Sequence, residues 1–162
     1  TQMAQATSAY KSQLIELAKS RSLTDQSFLN FLGHLVNSID DGDLKNKDLS
    51  ELLDAAIRAY DHLGQRTTNG HHISNWAPED AHRDHIVDVF NEDMPFIVDS
   101  GLAAIRASGA DIILFAHPIL PVRKTDDGIE VLENFEDGVQ KESLLHVHYR
   151  PGLSANNQQV LV

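Results

Sequence analysis

Nine histidines and no cysteine set the range of side-chain chemistry open to this 162-residue chain. Without thiols there is no disulfide framework, no thiol nucleophile and no thiolate zinc site. His71, His72, His82 and His85 lie close in sequence, and such imidazoles can bind a transition metal or titrate together near neutral pH. They fall in the least periodic stretch of the chain, where no second shell is fixed. They therefore read as solvated loop histidines, and no metal site is expected. His146 and His148 share one face of a strand, with Arg150 following on that face, and read as a structural pair. His117 precedes Pro118 in an apolar run and is expected to be buried and hydrogen-bonded, with a ligand-facing role as the sharper alternative.

The segment from Asn91 to Asp99 is the strongest candidate site. Pro95 suits the first turn of a helix because it gives up no needed hydrogen bond. Asp93 can cap the free N–H groups of that helix. The nine glycines are scattered at positions 33, 42, 64, 70, 101, 109, 128, 138 and 152, and no two form a G-x-G. There is no phosphate loop and no G-x-S-x-G elbow. No catalytic residue, no cofactor-binding residue and no cofactor are assigned to the chain itself.

The elements that must position these residues change period midway. To about Arg66 the pattern is helical. Tyr10, Leu14 and Leu17 form a stripe; Phe28, Phe31, Leu32, Leu35 and Ile39 form a second, with Thr24 as its N-cap. Asp40 to Asp43 reads as a turn. Asp48 and Glu51 have capping-box spacing ahead of a third stripe, Leu49, Leu52, Leu53, Ala56, Ile57, Tyr60 and Leu63. Three such helices suggest an antiparallel bundle. Residues 67–84 read as a linker, with Trp76 tacking it to a neighbouring surface.

After it the reading is strand (85–90), helix stopped by Gly109, and a long strand from Asp111 to Lys124. Pro118 and Pro121 should mark a bulge or edge of that strand. A hairpin at Asp126-Asp127-Gly128 and a last strand over 143–149 complete the series. Strand, helix, strand, strand is the opening of a ferredoxin-like βαββαβ unit. A second helix would begin after Pro151, so the unit is expected to be truncated, and an incomplete sheet would leave an unpaired edge.

Twenty-four acidic against 13 basic residues give a net charge of -11. Nucleic acid and anionic membrane would be repelled, so neither is expected as a partner. No apolar stretch has bilayer length, and the N-terminus lacks a basic region followed by an apolar core; the chain reads as soluble and cytoplasmic.

Three segments carry a family resemblance. Val89 to Ser100, reading VFNEDMPFIVDS, resembles the NDDMPFLVDS signature of long-chain NAD-specific glutamate dehydrogenases. Leu114 to Arg123 (LFAHPILPVR) is similar to the LIHPVLRVRR strand that follows it, and Glu142 to Val147 (ESLLHV) to the next strand. Together they span roughly residues 85–150 in the family's order. His148-Tyr149-Arg150-Pro151 departs from the acidic continuation common in the family, and Gly101 replaces a bulkier or polar residue.

The resemblance implies an ACT-like N-terminal region whose dehydrogenase domain, using NAD to interconvert glutamate with 2-oxoglutarate and ammonia, lies downstream. ACT-like units bind small amino acids at the first strand-to-helix loop or pair edge to edge. An amino-acid effector would here meet Asn91, Glu92, Asp93, Met94 and Asp99. Asp93 as a cap, and Phe96 in place of the usual glycine, argue instead for a packed turn.

The expectation is an α+β chain: a helical bundle-like subdomain over 1–66, a linker over 67–84, and a partial ferredoxin-like, ACT-type antiparallel sheet with helix over 85–162. Its function is regulatory and architectural, with the downstream domains and a homo-oligomer as partners.

Overall fold

A computed structural model describes residues 2–65, 72–80, 82–92, 96–126 and 128–152. The apolar stripes fold as read. α1 (Gln2–Ser20), α2 (Gln26–Asn37) and α4 (Leu49–Gln65) bury Leu14, Phe31, Leu32, Leu35, Leu52, Leu53 and Leu63 against one another. Local details differ. The residue before α2 is Asp25, not Thr24. The Asp40–Asp43 turn opens a short helix, α3 (Asp41–Lys45), because the Asp40 carboxylate accepts from the Gly42 N–H at 3.3 Å. Asp48 caps α4 by accepting from the Ser50 N–H at 2.9 Å. Glu51 instead faces Lys47 and Arg83, at 3.5 and 3.6 Å.

The sheet is antiparallel and mixed with helices, the α+β class expected. β2 (His85–Glu92), α5 (Phe96–Ala107) and β3 (Asp111–Ala116) form a split crossover, and β6 (Gln140–Arg150) pairs between β2 and β3. β4 (Ile119–Thr125) continues beside β6 and turns through the expected hairpin into β5 (Gly128–Val131).

The long strand anticipated from Asp111 to Lys124 is broken at His117-Pro118. Ala116 lies opposite His146 and Ile119 opposite Ser143, so one register persists across the gap. Proline has no N–H to give the ladder, but its carbonyl still accepts from Leu144 N at 3.2 Å. Pro121 lies within β4. Its carbonyl faces away from β6, accepting from Leu132 N at 2.8 Å just past β5. A strand residue's N–H and C=O share a side, so the missing donor costs the β6 ladder nothing.

The linker reading of 67–84 needs correction. Residues 72–76 form β1 (His72–Trp76), which pairs along β2 with His72 opposite Phe90 and Trp76 opposite Ile86. Its own apolar signal is weak, since Ile73 is 61% exposed; pairing and the inward faces of His72, Ser74 and Trp76 make it a strand. β1 occupies the outer side of β2 and is itself the last strand on that side of the sheet.

Helices cover both faces of the sheet. Phe90, Leu114, Ala116, Leu120, Val122, Val131 and Leu144 join the α1–α4 core, so helical half and sheet share one interior. On the opposite face α5 packs Leu102 and Ile105 on Val87, Leu145, Val147 and Tyr149. A Cβ at Gly101 would stand 2.7 Å from Leu145 Cδ2, so the glycine sets the close approach of α5 to β6. Gly109 takes a positive φ of 86° just past α5, the left-handed stop expected.

Candidate functional site at the α4–sheet interface

Alternation along the strands sends one polar row into the helix-covered face. Ser74, Asp88 and His146 are consecutive partners across β1, β2 and β6; Trp76, Ile86 and His148 form the next row. Above them α4 turns Asp54, Arg58 and His62 at spacings of four, a polar ridge beside its apolar stripe. The interface is therefore polar where most of the core is not.

Asp88, His146 and His148 are 3%, 0% and 1% exposed, so they must satisfy one another. The Asp88 carboxylate accepts from His146 Nδ1. His146 Nε2 lies 2.8 Å from His148 Nε2, so one proton is shared between the two rings. His148 Nδ1 is left buried without a partner, as are Arg58 Nε and Nη2. Burial foremost, and then His146, Lys47 and Arg58, hold the His148 pKa well below the ordinary histidine value. Neutral His148 can then donate a hydrogen bond from its Nε2–H to His146 Nε2, which leaves its buried Nδ1 as a bare acceptor.

A cavity of about 10 Å3 lies there, lined by Lys47, Arg58, Trp76, Asp84 and His148, with room for one water. Around it, Arg58 stacks on Trp76 at 3.7 Å, with Arg83 at 5.4 Å. Buried Asp84 is held by Lys47 at 2.5 Å and Arg150 at 2.9 Å, and Arg150 reaches the His82 carbonyl at 2.8 Å. His62 Nε2 meets Ser74 Oγ at 2.8 Å. This arrangement shares protons and fastens α4 to β1, β2 and β6, while its cavity is too small for a metabolite.

The expected His146–His148 pair is thus present, completed by Asp88. His117 is half-buried and bonded to Ser143 Oγ at 2.9 Å. Trp76 does tack its segment down, onto α4. The described members of the four-histidine group are separated: His72 packs near His62 and Phe90, while His85 packs on Tyr149 across the sheet. His82 is exposed, and His71 lies outside the described residues. Among the described residues no three His, Asp or Glu side chains are grouped to hold a metal ion.

Of the proposed effector contacts, Asn91 is buried in β2 opposite Ser143, and Asp99 is exposed in the first turn of α5. The backbone of Glu92 ends β2; Asp93 and Met94 lie outside the described residues. Sequence reasoning missed Asp88 and Arg58. The available signal was an acid set midway in the β-branched run HIVDVF, where a buried carboxylate demands a partner.

Comparison with known families gives one match: the family model for the glutamate dehydrogenase ACT1 domain covers residues 31–161. No curated protein and no solved structure matches the chain. No helix among the described residues is long and apolar enough to cross a membrane.

Proposed function

The chain belongs to the glutamate dehydrogenase ACT1 domain family, and on that premise we propose that it is the non-catalytic regulatory and assembly region, N-terminal to the dehydrogenase, of a long-chain NAD-dependent glutamate dehydrogenase. The parent enzyme would convert glutamate, NAD and water into 2-oxoglutarate, ammonia and NADH in the cytoplasm, as a homo-oligomer. The observation that carries this reading is where the polar chemistry lies. Asp88, His146 and His148 are spent inside a helix–sheet joint rather than at the wall of a substrate-sized cleft.

The β2–α5 crossover does not suit a dinucleotide. A dinucleotide site brings pyrophosphate to a glycine-rich strand-to-helix turn, and no glycine stands between His85 and Ser100 across the β2–α5 crossover. NAD would bind elsewhere in the parent polypeptide.

Deleting residues 31–161 from the intact enzyme should leave glutamate-dependent NAD reduction measurable while altering its sedimentation or its response to small effectors. Loss of all turnover with sedimentation unchanged would count against a regulatory role. A narrower reading, amino-acid sensing at the Asn91–Asp99 turn, draws on exposed Asp99 as a partner for a ligand amine. Calorimetry with free amino acids that lack a side-chain carboxylate separates the two, because a purely architectural turn takes up none.

A further inference from the structure

The groove between α1 and α2 has the volume that the helix–sheet joint lacks, about 410 Å3, within the roughly 300–1,000 Å3 of small-molecule sites. Its α1 wall carries Lys11, Ile15 and Lys19, spaced four apart, so an apolar side chain separates two ammonium groups along one stripe. Leu29 and Gly33, also four apart, face them from α2. Neither lysine has an ion-pair partner among the described residues. In a chain of net charge -11, these two free cations meet only one carboxylate in the lining, Glu133.

The α2 wall is fixed rather than pliable. Asn30 Nδ2 donates to the Val131 carbonyl at 3.0 Å, His34 Nε2 bonds the Leu132 carbonyl at 2.9 Å, and Ser27 Oγ accepts from Val131 N at 2.9 Å. Gly33 keeps the floor open: a Cβ there would stand 2.9 Å from Lys11 Cε and push the lysine stem aside.

We propose that this groove binds a short aliphatic dicarboxylate, with one carboxylate on Lys11, the other on Lys19, and the methylenes over Ile15 and Leu29. Two separated charges with an apolar middle match that class better than a compact anion, which meets one lysine at a time. The site is remote from the β2–α5 turn and independent of which reaction the parent enzyme performs.

The test is calorimetric titration of the 162-residue chain with glutarate, using butyrate and inorganic phosphate as comparison probes. Glutarate should bind, with butyrate at least about tenfold weaker. Lys11→Gln and Lys19→Gln should each weaken glutarate about tenfold, as expected for one lost charge-assisted contact, while Lys11→Arg retains binding. Unchanged thermal melting shows that the variants fold; should Lys11→Gln melt early, exposed Lys19 decides by itself. Absence of glutarate binding, unchanged affinity in Lys19→Gln, or phosphate binding as tightly as glutarate would each overturn the proposal.

Discussion

Asp88 and His146 stand directly opposite each other on β2 and β6, and the carboxylate accepts the imidazole Nδ1 proton inside the joint that α4 closes. Removing one member leaves the other buried without its partner. Asp88→Ala should therefore destabilise the chain by about 3 kcal/mol. Urea unfolding of Asp88→Ala, His146→Ala and the double variant should give a coupling energy on the order of 1–3 kcal/mol. Additive effects would mean that the pair contributes no mutual stabilisation.

The same joint makes stability depend on pH. Burial, reinforced by His146, Lys47 and Arg58, depresses the His148 pKa from its ordinary 6.5. The unfolded chain therefore binds a proton that the folded chain refuses between the depressed value and 6.5. Stability is complete above that window and falls on acidification through it, by at most about 1.4 kcal/mol per pH unit for one proton. Asp88 is bonded to His146, and Asp84 and Glu51 line the cavity beside His148. Carboxylates elsewhere add their own acid dependence, so the decisive quantity is the difference between chains. Unfolding midpoints of His148→Gln should vary less between pH 7.5 and 5.5 than those of the parent chain, and parallel profiles would refute the assignment.

Trp76 is the one tryptophan in the sequence, so its fluorescence reports the docking of β1 on α4 without labelling. Arg58→Ala removes the guanidinium 3.7 Å from its ring and should cost about 1 kcal/mol. It should also shift the emission to the red as water reaches the indole. An unchanged spectrum would place the ring's environment under other control.

On the opposite face, Gly101→Val forces methyl groups toward Leu145 Cδ2, where a bare Cβ already comes to 2.7 Å. Leu145 is 1% exposed and has little room to yield. The expected loss is about 1–3 kcal/mol, measured by chemical unfolding, with partial recovery on adding Leu145→Ala. Equal stability of Gly101→Val and the parent chain would show that α5 can lift off without penalty.

Much of this architecture is legible in the residues. The α2 and α4 stripes, the Gly109 stop and the Asp126–Gly128 hairpin each carry a local signal with one structural meaning. β1 carries none, because HISNW becomes a strand only when β2 offers a ladder and α4 offers cover for His72, Ser74 and Trp76. The polar joint is hidden for a related reason. Arg58 reads as the solvated side of an amphipathic helix until β1 is known to lie beneath it, and only the three-dimensional register sets Asp88 against His146. The break at Pro118 was signalled by the missing donor; the continuity of register across it was not.

The claim that the polar residues here build a joint rather than a reaction centre is tested most directly by assaying the purified 162-residue chain for glutamate-dependent reduction of NAD. The account predicts a rate equal to the protein-free background for the parent chain and Asp88→Asn alike. Turnover above background that Asp88→Asn abolishes, in a variant that still folds, would contradict it.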